Sequence, residues 1–146
     1  MSSETTQAVP WTTQVLRVTS SLVLLCTLGQ GLLAGLFVTG DVDLLTVHSA
    51  LGSAIALVAL VQFLTALLER RARKRMGEVI TWRLTVLCGF VLVLVSVQIG
   101  LGMARVVAPH MFLGVVSAAV AMLVLLVVLM EASPAPVVTV RPGEGK

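Results

Sequence analysis

The chain holds two histidines, and each opens the same apolar pattern. HSALGSAIALVA runs from His48 to Ala59 and HMFLGVVSAAVA from His110 to Ala121, so both read HxxLGxxxAxVA sixty-two positions apart. Imidazole ligates metals and relays protons near neutral pH. An intramembrane histidine is costly to bury without a partner, so a matched pair in duplicated sequence points to ligation. Interhelical hydrogen bonding, worth roughly 1 kcal/mol each, is the competing use.

The elements that carry these residues follow from composition. Hydrophobic residues make up 58% and charged residues 12% of 146 positions, which excludes a soluble globular domain. Four stretches, about 18–38, 45–68, 84–107 and 109–130, reach the roughly 20 residues that a helix needs to cross a bilayer. Spanning segments must satisfy their backbone internally, so all four are expected to be helical. The predicted fold class is all-α, an integral membrane four-helix bundle. Residues 1–17 and 131–146, rich in Ser, Thr, Pro and Gly, are expected to be disordered tails. The N-terminal stretch lacks the features of a cleaved signal peptide, so the first span is expected to remain.

Charge sets the orientation. Nine of the ten Lys and Arg residues, including the ERRARKR run at Glu69–Arg75, fall at one membrane face. Positive segments stay inside, so both termini are expected in the cytoplasm of a cell whose plasma membrane holds the chain, a bacterial inner membrane. The same run is expected to touch anionic lipid and gives no support for nucleic-acid binding. Cys26 and Cys88 sit at different depths and are expected to be apolar packing residues.

The repeat extends upstream, where Gln30, Leu33 and Ala34 face Gln98, Leu101 and Gly102. Each half is thus a Gln-bearing helix followed by a His-bearing helix, and the two halves are predicted to be parallel repeats about an axis along the membrane normal. His48 and His110 then share one depth near the outer surface. Helical spacing puts His48, Gly52, Ile55, Ala59 and Gln62 on one face, and His110, Gly114, Ser117 and Ala121 on another. Gly52 and Gly114, one turn from each histidine, admit either a flat macrocycle or close helix packing, the use that GxxxG at Gly31 and Gly35 suggests.

Two opposed imidazoles with no thiolate or carboxylate at their level suit the axial positions of haem iron. Zinc would want more protein ligands. Copper would draw on Met103 and Met111. Arg105, the one basic residue near the outer surface, either pairs with haem propionates or snorkels to lipid phosphate. No Ser/His/Asp set, HExxH or phosphate-binding loop occurs, and no catalytic residue is predicted. Acidic residues are expected to be absent from the spans, which argues against a carboxylate proton relay.

QIGLGMARVVAPHMFLGVVSAAVAML, from Gln98 to Leu123, resembles one half of haem A synthase, whose four-helix halves carry a Gln and small-residue motif on one span and a haem-ligating His at the start of the next. It also resembles small cytochrome b type bundles and other four-helix bacterial membrane proteins. The likeness covers roughly Gln30–Leu68 and Gln98–Leu125. It implies His48 and His110 as axial ligands of haem b, with Gln30 and Gln98 lining the pocket. The chain has half the synthase's length, lacks its outer-loop cysteine pair, and offers Asp41 and Asp43 where the synthase has a glutamate. The expectations are therefore a haem b protein that carries electrons or handles haem beside a membrane redox partner or respiratory complex, a cofactor-free scaffold or accessory subunit, or a half-length synthase-like enzyme working as a homo-oligomer.

Overall fold

The computed structural model describes residues 9–78 and 81–131. Four helices account for almost all of them: α1 (Trp11–Val38), α2 (Leu44–Arg75), α3 (Arg83–Met103) and α4 (Val107–Glu131). Each is long and apolar enough to cross a membrane, the pattern of a multi-pass membrane protein. The helices run alternately up and down as a square. Each packs on its chain neighbours and α1 closes on α4, while the diagonal pairs α1/α3 and α2/α4 have no backbone contact among the described residues.

Large apolar side chains lie on both sides of the helices. Leu25, Leu32, Leu57, Val86, Phe112 and Val115 face outward, where hydrocarbon rather than water would meet them. The interior mixes apolar residues such as Leu16, Val23, Ala59, Val91 and Val124 with buried polar ones such as Ser20 and Gln62. Lipid tails are as apolar as leucine, so the helices associate through close packing and interhelical hydrogen bonds. The Gln62 amide donating to Ser20 Oγ at 2.9 Å is one such bond, joining α2 to α1 at mid-depth.

Three boundaries differ from the hydropathy reading. Helix α1 begins at Trp11, so residues 11–17 of the expected N-terminal tail are helical; residues 1–8 and 132–146 of the two tails lie outside the described residues. Helix α2 continues through the ERRARKR run to Arg75, held there by an Arg73–Glu69 ion pair at 2.8 Å, one turn apart. Two acids thus belong to the helices just beyond the expected spans, Glu69 in α2, only 7% exposed, and Glu131 at the end of α4, while the stretches 45–68 and 109–130 themselves hold none.

The third difference concerns Arg105, which the expected span 84–107 would place inside the third helix. That helix stops at Met103, and Arg105 lies in the turn beyond it with φ +57°. The three interhelical turns use one hydrogen-bond pattern. The residue after the cap donates back to the third residue before it, as in Gly40 N to Phe37 O, Gly77 N to Lys74 O and Arg105 N to Gly102 O, and the next residue donates five back. This is the Schellman motif, whose left-handed position favours glycine. Gly40 and Gly77 supply it at two turns, and an arginine takes it at the third. An L-residue in that conformation is disfavoured by about 1 kcal/mol. Arg105→Gly should therefore stabilise the bundle by up to about 1 kcal/mol, whereas Arg105→Ala should leave it unchanged, as detergent unfolding curves of the two variants can measure.

Candidate functional site

The histidines come together at the end of the bundle opposite the arginine-rich run. His48 lies in the second turn of α2, after a short loop, and His110 in the first turn of α4. Pro109 precedes it at a position where a helix needs no backbone donor. These two helices are diagonal to one another, yet their imidazole rings meet across the bundle with centroids 6.1 Å apart and planes at 67°. Both rings are half-buried.

Each ring has a different setting. His110 Nδ1 lies 3.0 Å from the Gln98 carbonyl oxygen, across the α3–α4 interface. A carbonyl only accepts, so Nδ1 carries the proton and a neutral ring leaves Nε2 with its lone pair free. Such a bond also fixes the ring's orientation. His48 Nδ1 is buried with no hydrogen-bond partner, and the edge of Phe37 stands 5.5 Å from its ring centroid. Gly102 backs His110: a Cβ there would sit 3.3 Å from the ring's Cε1.

The glutamines and glycines also meet, in two like pairs. A Cβ on Gly52 would lie 3.0 Å from Gln30 Nε2, and one on Gly114 would lie 3.1 Å from Gln98 Nε2. The bare backbone at each glycine is thus occupied by an amide from the preceding helix. Gln30 uses that position to donate to the His48 carbonyl at 2.8 Å. The Oε1 atoms of Gln30 and Gln98 are buried without partners. Arg105, exposed, belongs to the turn that joins α3 to the His110 helix.

His48, Gly52 and Gln30, and His110, Gly114 and Gln98, thus meet as two like groups at this end, with Arg105 in the nearby α3–α4 turn. Sequence reasoning missed Phe37 and Gly102, which touch the rings. Gly102 stood within the Gln-x-x-Leu-Gly echo; Phe37 carried no signal. No group of three or more His, Cys, Asp or Glu residues is placed to hold a metal among the described residues, so a zinc site of the usual protein-ligand number has no support here. Cys26 and Cys88 are free, and Cys88 is buried.

The fold and site together define a class, a helical multi-pass membrane bundle with a histidine pair near one end. Comparison with known proteins adds no relative: no family, curated protein or solved structure matches the chain.

Proposed function

We propose that this chain is a haem b protein of the cell membrane, with His48 and His110 as the two axial ligands, which carries electrons or handles haem at the outer face. The observation that supports this most is the spacing of the rings. Imidazoles on opposite sides of one iron, with bonds of about 2 Å each, place their coordinating nitrogens about 4 Å apart and their ring centroids about 6 Å apart. The observed centroid separation is 6.1 Å. An edge-to-face contact occupies the same range, so spacing must be joined to chemistry. With the His110 ring neutral, its Nδ1 bond to the Gln98 carbonyl leaves Nε2 as a lone-pair donor, and Nδ1 of His48 is buried without a hydrogen-bond partner; these are the two nitrogens that would hold the iron.

Bound haem would supply one-electron chemistry, its potential set by axial ligands, burial and nearby charge. The protein's part is positional. The Gln98 carbonyl holds His110, the Gln30 amide ties the His48 backbone to α1, and Gly52 and Gly114 leave the room in which these amides lie. Arg105, held in a conformation that glycine would adopt more readily, offers a cation for a carboxylate at the membrane boundary. In this reading the two halves are parallel repeats, and the arginine-rich end with both termini is cytoplasmic. The redox partner would dock at the opposite face.

A second reading has its own observation. The Gln30 and His110 hydrogen bonds each join two helices and would serve as glue in a cofactor-free scaffold or accessory subunit. Visible spectra of detergent-purified protein from haem-replete cells, oxidised and then reduced, separate the two. Sharp reduced α and Soret bands are expected; a colourless preparation would put the scaffold ahead.

A further inference from the structure

At the arginine-rich end the four helices open around a cavity of about 220 Å3. Its floor is apolar, made by Leu16, Ala66, Leu84 and Val128, and its walls carry Glu69, Arg70, Thr85 and Glu131. Glu69 is fully engaged. It accepts hydrogen bonds from Thr12 and, at 3.4 Å, from Thr13, and pairs with Arg73. Two charges remain. The Arg70 guanidinium stacks 3.2 Å over the Trp82 ring, and its Nε is buried with no hydrogen-bond partner. Glu131 makes no ion pair among the described residues.

The duplicated sequence reaches this cavity too. Leu64, Leu67 and Glu69 stand over Leu126, Leu129 and Glu131 at the same sixty-two-residue offset as His48 and His110. Each glutamate follows its histidine by twenty-one residues, roughly 31 Å of helix, about the thickness of the hydrocarbon core. If the histidines lie at one boundary, the cavity lies at head-group level on the other. Its position owes nothing to whether haem is bound.

We infer that this cavity is a binding site for a zwitterion with a primary ammonium and a phosphate, the head group of phosphatidylethanolamine. Among the described residues that line the cavity, the closed Glu69–Arg73 pair leaves Glu131 and Arg70 as the two charged groups without an ion pair. A ligand of a single sign would satisfy one and strand the other in a partly buried space. An ammonium donates to carboxylate oxygens, while a phosphate accepts from guanidinium and from the Thr85 hydroxyl. Choline lacks N–H donors and glycerol lacks the charge, so both should bind less well. The site's mouth at head-group level favours the membrane lipid over the soluble compound.

The test uses the full chain in nanodiscs of phosphatidylcholine, phosphatidylethanolamine and phosphatidylglycerol at equal mole fractions, with retained lipid read by native mass spectrometry. A preference of about tenfold for phosphatidylethanolamine over each of the others is expected, the worth of one charge-assisted hydrogen-bond set. Glu131→Gln, at an exposed position that spares the fold, should remove that preference. Soluble phosphoethanolamine is then added, with emission recorded from Trp11 and Trp82, the chain's two tryptophans, both at this end. Lipid that stays in place assigns the site to the lipid; displacement with an emission shift assigns the same chemistry to the soluble compound. Equal retention of the three lipids, an unchanged preference in Glu131→Gln, or an equal emission shift with inorganic phosphate alone would overturn the assignment.

Discussion

On the proposed bis-histidine haem reading, His110→Ala is expected to abolish the six-coordinate haem spectrum and most haem retention, while His48→Ala should leave a weaker, five-coordinate species. The asymmetry comes from how each ring is held. His110 is oriented by the Gln98 carbonyl and backed by Gly102, whereas His48 Nδ1 has no protein partner. Supporting hydrogen bonds of this kind change metal affinity by about 10–100-fold, so the better-supported ligand should keep haem when the other is lost. Neither substitution should unfold the bundle. Both rings are half-buried at one end, and the buried core around Leu16, Ala59, Val91 and Val124 lies away from them. The lost bond to Gln98 costs about 1 kcal/mol. Added imidazole should restore six-coordination in His48→Ala. Reduced spectra that are the same in wild type and both single variants would end the axial-ligand model.

Much of this architecture was legible in the chain, for identifiable reasons. Hydrocarbon imposes a minimum apolar length and a closed backbone, so four windows become four helices. Helical periodicity then brought out the buried faces: Ile55, Ala59 and Gln62 below His48, and Ser117 and Ala121 below His110, are all buried. The helix ends were less legible. Trp11–Arg17 and Glu69–Arg75 are polar yet helical, because ion pairs and cross-helix hydrogen bonds sustain them beyond the apolar window. Thr12 meets Glu69 across fifty-seven positions, a contact that no local pattern announces. Arg105 was misplaced because Leu101–Val107 reads as one apolar run. Nothing in its composition marks a left-handed residue, for which glycine is the customary sign.

The glycines beside the histidines give the other large expected effect. Gly52→Leu and Gly114→Leu should each destabilise the bundle by about 1–3 kcal/mol and lower haem retention, because the new side chain enters space that an amide already fills. A single Cβ would stand 3.0 Å from Gln30 Nε2 or 3.1 Å from Gln98 Nε2. Since that atom is the far end of a flexible side chain, alanine should be nearly neutral, its gain of about 1 kcal/mol in helix propensity offsetting a displaced hydrogen bond. Leucine leaves the amide no place, and Gln30 would then lose its bond to the His48 carbonyl. The cause can be isolated by a double-mutant cycle. Removing the amide with Gln30→Ala in the Gly52→Leu background should recover most of the lost stability, a coupling that independent sites would not show. Haem retention should stay low in that double variant, because the leucine still lies beside His48. If the two substitutions instead add without coupling, the glycine does not serve the amide. If stability and haem retention then fall together, Gly52 acts through helix packing alone.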